Sequence, residues 1–219
     1  MNKSVKERGI IFNGEMVRAI LDGRKTQTRR VLKAQPSSGV RSSSFVNSGF
    51  EDGHGNEIKC PFGQVGDRLW VRETFRVHSR ATDVATLAYK ASEQQSWTQQ
   101  VARVPIELCT KQVSPEAWTP SIHMPRWASR ITLEITDIRV ERLNDISEKD
   151  AAAEGVGSAT WFAAKGVPED EWTSLGEFGA QKPSHINCFA SLWESIYGQD
   201  SWQSNPFVWV VEFKRVEAA

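Results

Sequence analysis

Basic residues are concentrated near the start of the sequence. The first 41 positions hold ten Lys or Arg and three Asp or Glu, although the whole chain of 219 residues holds 27 of each kind. The densest stretch, Arg24 to Arg30, combines four cationic side chains with two threonines. Cations clustered on an otherwise neutral protein favour a local anion site. We expect such a site here, with a solvated charged face as the alternative.

Tryptophan is abundant, and aromatic rings can stack on unpaired bases at about 1–3 kcal/mol per base. Among the nine Trp residues, Trp70, Trp127 and Trp161 are candidates for stacking beside the basic segment. Arg126, directly before Trp127, is a candidate for the same surface. Its alternative is a cation–π pair that ties down a loop. Core packing is the alternative for each Trp.

The three cysteines do not form a metal-binding or disulfide pattern. Cys60, Cys109 and Cys188 are widely spaced and no C-x-x-C pair occurs, which favours reduced thiols in a cytoplasmic protein and no zinc site. The N-terminal apolar stretch is too short for a secretory signal, and no apolar run is long enough to cross a membrane. We therefore expect a cytoplasmic location, no metal, no cofactor and no membrane partner.

Apolar periodicity predicts the elements that must position the basic stretch. Strand patterns occupy residues 9–12, 68–73, 84–90, 131–143 and 207–214, and the stretch 24–31 is predicted as a strand or extended loop. Helix patterns occupy residues 15–21, 145–155 and 186–197. Ser147 is predicted to cap the second helix with Asp150 as reciprocal partner, and Gly155 to end it.

Long polar segments separate these elements. They predict a single domain over residues 1–219 with insertions near 35–60, 91–125 and 157–184, and the Ser- and Gly-rich part at 35–57 is expected to be a flexible loop. Five or six strands with few helices predict an α+β protein built on a small open or closed barrel, not a doubly wound sheet.

Four blocks of the sequence resemble, in order, the motifs of ASCH-domain proteins of the PUA-like superfamily. Leu21–Arg30 is similar to the family's helix end with Gly, followed by Lys-Thr-x-Thr and Arg. Gly66–Val71 is similar to its Gly-Asp strand, Leu143–Gly155 to its helix ending in Glu-Gly, and Val208–Lys214 to its closing strand. The long insertions resemble the versions of the family found in phage and prophage genomes.

The resemblance implies a mixed five- to six-stranded PUA-like β-barrel with flanking helices, and a cleft that receives RNA, modified DNA or a modified nucleoside. One branch of the family hydrolyses the acyl amide of acetylated cytidine with a Lys, a Thr and a Glu, which fall on Lys25, Thr28 and Glu154. A neighbouring Arg of that branch falls on Arg30. The second arginine, Arg29, and the insertions depart from it.

The chemistry implied for these three residues is amide hydrolysis. Burial and the neighbouring arginines would lower the pKa of Lys25, and the neutral amine would take the proton of the Thr28 hydroxyl. Glu154 would protonate the leaving amine as a general acid. A solvent-exposed role for Lys25, an ordinary strand role for Thr28 and a helix-surface role for Glu154 are the alternatives.

The predicted function is therefore directed at a nucleobase or a nucleic acid, and three versions of it remain open. The first is a hydrolase acting on nucleosides of the N4-acetylcytidine type. The second is a non-catalytic binder of RNA or modified DNA, and the third is a ribonuclease. The base-binding residues predicted beside the catalytic set are Arg24, Thr26, Arg29, Arg30, Trp70, Arg126 and Trp127.

Overall fold

The computed structural model describes residues 4–46, 48–157 and 184–216. These residues form an α+β structure of three sheets with few helices. The α-helices are α1 (Gly14–Leu21), α2 (Trp97–Gln100), α3 (Glu148–Ala153) and α4 (His185–Tyr197). The strands are β1 (Glu7–Ile11), β2 (Gln27–Val31), β3 (Val40–Ser42), β4 (Phe50–Asp52), β5 (Arg68–Arg72), β6 (Phe75–Arg80), β7 (Val84–Tyr89), β8 (Val101–Pro105), β9 (Thr132–Arg142) and β10 (Phe207–Val216).

The chain divides into two compact units that are interleaved along the sequence. Unit 1 comprises Met1–Asp22, Phe62–Thr136 and Phe213–Ala219, and unit 2 comprises Gly23–Pro61 and Asp137–Glu212. The long strands β9 and β10 contribute residues to both units. The prediction of one domain with insertions is not decided by this division and stays a prediction.

Unit 1 contains β1 paired in parallel with β5, and β5 paired antiparallel with the start of β9. The separate antiparallel sheet β6-β7-β8 lies in the same unit. Apolar residues that alternate along β6 and β7 form a buried cluster with Met124, which includes Phe75, Leu87 and Tyr89. Alternation is the pattern of strands with one face on a core.

Unit 2 contains β2 paired antiparallel with β10, and the small hairpin β3-β4. Residues Val208 to Val211 of β10 are all buried, which fits a strand covered on both faces. Helix α3 packs against α4, and α4 buries Phe189, Leu192 and Trp193. The strand β2 and the helix α3 carry the basic stretch and Glu154.

The largest sheet has the order β1-β5-β9-β10-β2. Within the described residues it ends at β1 and at β2 and is not closed into a barrel. The α+β class with few helices is confirmed, whereas the described strands do not confirm the PUA-like barrel. Ten strands occur in the described residues where five or six were predicted.

The segments predicted as loops contain regular structure. The segment 35–57 contains the paired strands β3 and β4, in which Arg41 pairs with Glu51 and Phe50 packs edge-on against Trp209. These contacts, rather than local propensity, order a Ser- and Gly-rich segment. Residues 91–125 contain α2 and β8. The third predicted insertion, near 157–184, lies almost wholly outside the described residues.

Among the described residues, the structure contains no helix that is both long and apolar enough to cross a membrane.

Candidate functional site

Lys25 is placed by a glycine and by backbone pairing with the end of α3. Gly23 follows α1 with φ of 74°, a conformation that glycine adopts without steric cost and that ends the helix. The next residues run beside α3, because Lys25 forms an isolated antiparallel bridge with Glu154. The amide of Thr26 also donates to the carbonyl of Ala153 at 2.8 Å. The backbone therefore brings the basic stretch to the helix end that carries Glu154.

Glu154 is held by the capping of α3 at both ends. The Ser147 hydroxyl accepts the amide of Asp150 at 3.1 Å and donates to its carboxylate at 2.8 Å, which is the reciprocal arrangement predicted from the sequence. Glu154 is the C-cap residue, and Gly155 follows with φ of 79°. The helix is only six residues long, so these caps fix the position of Glu154.

Lys25 and Glu154 form a direct ion pair in the interior of unit 2. The Nζ atom of Lys25 donates to Oε2 of Glu154 at 2.8 Å and to the backbone carbonyl of Glu154 at 2.9 Å. The two side chains are 0% and 3% exposed. The structure thus brings together two of the three residues that the family resemblance suggested as catalytic, although 129 positions separate them.

Burial lowers the pKa of Lys25 from its ordinary value. The carboxylate of Glu154 opposes this by attracting the ammonium, while the positive charges of Arg30 and Arg29 lower the pKa further. Loss of water disfavours a charged amine, and like charges nearby disfavour it again. The lowering of the pKa that the sequence led us to expect is therefore present, with desolvation as its largest cause.

Alternation along β2 separates the other predicted residues into two sets. Gln27 and Arg29 point toward α3, because the Gln27 amide donates to the carbonyl of Asp150 at 2.9 Å and Arg29 donates to Glu154 at 3.3 Å. Successive side chains of a strand point to opposite faces, so Thr28 and Arg30 lie on the other face of β2. Thr28 is 2% exposed, and its role as nucleophile stays a prediction.

Two predicted base-binding residues lie at the surface beside the buried pair. Arg24 and Thr26 are exposed, whereas Lys25 between them is buried. The guanidinium of Arg24 donates to the carbonyl of Gly155 at 2.9 Å. These two residues flank the buried lysine in the sequence and are reachable from solvent.

The structure adds acidic and basic residues that sequence reasoning missed. Arg29 also donates to Glu141 at 3.0 Å and lies 3.9 Å from Asp150. Arg139 in turn contacts four carboxylates, those of Asp137, Glu141, Asp150 and Glu212. The signal that could have found Glu141 and Arg139 is their alternation in β9, which places both on one face.

Trp70, Arg126 and Trp127 belong to unit 1, and their side chains have partners there. The Arg72 guanidinium lies 5.5 Å from the ring of Trp70, and Trp127 packs edge-on against Phe75 at 6.4 Å. Arg126 donates to Glu7 at 2.9 Å and to the Thr132 hydroxyl. Their assignment to base binding stays a prediction, and Trp161 lies outside the described residues.

Within the described residues, no group of three or more His, Cys, Asp or Glu side chains is arranged to hold a metal ion. Cys109 and Cys188 are buried, and Cys60 is half-buried. The carboxylates of the cluster around Arg139 are engaged by arginines, as described above.

Comparisons with known proteins do not show a family. No protein-family model matches the chain, and no curated protein matches it. A solved structure from Enterococcus faecalis V583, described as DUF984, has 9% sequence identity and a TM-score of 0.36, with 98% of this chain and 82% of that chain covered. A likeness at that level carries no argument about fold or activity, and the ASCH resemblance stays a prediction.

Proposed function

We propose that this protein is an ASCH-type, PUA-like cytoplasmic protein that acts on a nucleobase of RNA, modified DNA or a modified nucleoside. The observation that carries the proposal is the buried contact between Lys25 and Glu154 at 2.8 Å. Burying two charges costs several kcal/mol per ion unless their geometry and hydrogen bonds compensate. An arrangement of this cost, at residues suggested independently by the family motifs, favours a functional role.

Hydrolysis of an acyl amide, as in N4-acetylcytidine, is the activity we propose for the pair. A lysine with a lowered pKa exchanges its proton near neutral pH more readily than an exposed one. Because the side chain of Lys25 has no exposed surface, substrate entry requires the protein around the end of α3 to open locally. The nucleophile assigned to Thr28 has the least geometric support, since β2 directs it away from the face of Arg29.

The test is release of acetate from N4-acetylcytidine by the purified protein. Lys25→Ala and Glu154→Gln are expected to lower kcat/KM by roughly 10²–10⁴-fold, the range of positioned acid–base groups. Thr28→Val is expected to abolish turnover while Thr28→Ser retains it, if the hydroxyl is the nucleophile. Arg142→Gln is the matched control, because Arg142 stacks on Phe207 and donates to the Asn205 carbonyl away from the cluster.

The outcome separates the versions of the proposal. Acetate release that survives Lys25→Ala removes Lys25 from the mechanism. Equal turnover of Thr28→Val and wild type assigns the nucleophile to another group. Absence of turnover in the wild-type protein rejects the hydrolase.

Binding without chemistry is the second candidate, and the exposure of Arg24 and Thr26 beside the buried pair favours it. Its measurement is the affinity for a fluorescent single-stranded RNA over a range of salt concentrations. Phosphate contacts release counterions, so affinity should fall steeply with salt, and Arg24→Gln should reduce the slope of log K against log salt by about 0.7. An affinity independent of salt rejects this candidate, and the same RNA run on a gel reports any cleavage.

A further inference from the structure

The second arginine of the basic stretch, Arg29, contacts the carboxylate of Glu154 directly. The family resemblance pointed to Arg30, but the alternation of β2 places Arg29 on the side of α3. Nη1 of Arg29 donates to Oε1 of Glu154 at 3.3 Å, whereas Lys25 contacts Oε2 at 2.8 Å. The two cations therefore divide one carboxylate between them, one at each oxygen.

Arg29 is itself anchored on the side away from Lys25. Its Nη2 atom donates to Glu141 at 3.0 Å and lies 3.9 Å from Asp150. Both of these acids are held in place by Arg139. The side chain of Arg29 is fully buried, and the ring of Phe189 lies 6.0 Å from its guanidinium carbon. The fork of a guanidinium suits this bridging role, which an ammonium cannot reproduce.

The arrangement has a consequence for proton transfer at Lys25. An isolated ammonium–carboxylate pair in a buried site keeps its proton on the amine, because the carboxylate stabilises the charged form. A carboxylate that also accepts a hydrogen bond from an arginine stabilises the lysine ammonium less. The largest charge effects on Lys25 come from Glu154 at the C-cap of α3 and from Arg30 and Arg29 on β2.

We propose that Arg29 is a positioning residue that holds one oxygen of Glu154 away from Lys25, so that the ammonium can give its proton to a water molecule and the neutral amine can then take the proton of the attacking hydroxyl. Arg29 acts through Glu154 and does not touch the substrate. The role of Arg29 in turnover rests on the hydrolase activity proposed above. The effect of Arg29 on the titration of Lys25 does not depend on that activity.

The experiment titrates Lys25 directly. The ¹³C resonances of the lysine ε-carbons are followed against pH in wild type, Arg29→Gln, Arg29→Lys and the control Arg142→Gln, with the Lys25 signal assigned from Lys25→Arg. Arg29→Gln is expected to move the titration of Lys25 to higher pH. A positive charge near the ammonium is lost, and the Glu154 carboxylate then stabilises the Lys25 ammonium alone. Arg29→Lys, which keeps the charge without the fork, should move it less, and Arg142→Gln should leave it unchanged.

Turnover provides the second readout. The acid limb of the pH–rate profile for acetate release should move to higher pH in Arg29→Gln, with kcat at neutral pH reduced by about tenfold or more. A change in stability alone would not move the pH profile. If Arg29→Gln does not fold, as judged by circular dichroism, the smaller shift expected of Arg29→Lys carries the test.

The two proposals fail in different ways. A Lys25 titration that is the same in wild type and in the folded Arg29 variants overturns the role of Arg29, whatever the turnover. Absence of acetate release together with a shifted Lys25 titration overturns the hydrolase and leaves the coupling of Arg29 to Lys25 in place.

Discussion

Among the described residues, each unit contains a buried ion-pair cluster, and these two clusters are built differently. In unit 1, Arg130 holds both oxygens of Glu73 at 2.9 and 3.0 Å, donates to Ser92 and Gln99, and stacks on Tyr89. One guanidinium satisfies one carboxylate completely. In unit 2, the Glu154 carboxylate is shared by Lys25 and Arg29.

The difference lies in the cation as much as in the number of partners. Arginine stays charged throughout the pH range of proteins, whereas a buried lysine can lose its proton. The Glu73–Arg130 fork is a closed pair with the geometry of a structural element. The unit 2 cluster contains a cation whose charge can change, linked through Arg29 and two carboxylates to Arg139. A buried ion pair therefore points to chemistry when its cation can lose its proton, as a lysine can and an arginine cannot.

The largest effect should come from removing the cation of the closed pair. Arg130→Ala removes the arginine that pairs with the buried Glu73 carboxylate, and we expect the free energy of unfolding to fall by about 3–5 kcal/mol. Lys25→Ala leaves Glu154 bonded to Arg29, so a smaller loss of about 2–3 kcal/mol is expected. Urea denaturation measures both. Equal losses would show that Arg29 does not support the Glu154 carboxylate.

The pH dependence of stability should have opposite signs in the two clusters. Burial raises the pKa of Glu73 above 4.5, outweighing the opposing effect of Arg130, so just above pH 4.5 the folded state binds more protons than the unfolded one. The contribution of Glu73 to the free energy of unfolding therefore falls as the pH rises above 4.5.

For Lys25 the sign is reversed. Its pKa in the folded state lies below the ordinary value of 10.5 that it has in the unfolded chain. Between these two pKa values the unfolded state binds more protons at Lys25, so stability rises with pH. Glu73→Gln should remove the first slope and Lys25→Met the second, as measured by urea denaturation across pH. A Lys25→Met protein that keeps the alkaline slope of the wild type would contradict the lowered pKa.

The smallest effect concerns the helix cap that positions Glu154. Ser147→Ala removes the hydroxyl that accepts the Asp150 amide, and we expect a loss of about 1 kcal/mol in the free energy of unfolding. Ser96→Ala is the matched control, because Ser96 occupies the N-cap of α2 without a side-chain capping bond, and it should change stability by less than about 0.5 kcal/mol. Thermal denaturation compares the two variants, and equal losses would contradict a capping role specific to Ser147.

Local sequence signals were sufficient to predict the elements whose hydrogen-bonding partners lie close together in the sequence. The reciprocal bonds of Ser147 and Asp150, and the left-handed Gly155 that follows Glu154, were read correctly. The strands at 68–72 and 84–89 also agree with their predicted ranges to within a residue. In each case the pattern of the element and its boundary residues lie within a few positions of one another.

Elements that depend on distant partners were missed. The β3-β4 hairpin contains many turn-forming residues, and its order comes from contacts such as that of Phe50 with Trp209. Arg29 was treated as a departure from a motif because its partners, Glu141 and Glu154, lie more than a hundred positions away. The alternation of side chains along β2 places Arg29 and Arg30 on opposite faces of the strand. It does not show which carboxylates lie against Arg29.

The interleaving of the two units has a consequence for the order in which the cluster can assemble. At a synthesis rate of about 5–20 residues per second, Glu154 leaves the ribosome roughly 6–26 s after Lys25, with the long middle segment of unit 1 translated in between. The cations of the early stretch thus remain hydrated until their carboxylates exist. Isolating unit 2 on its own would require replacing residues 62–136 with a linker, because no continuous fragment contains it.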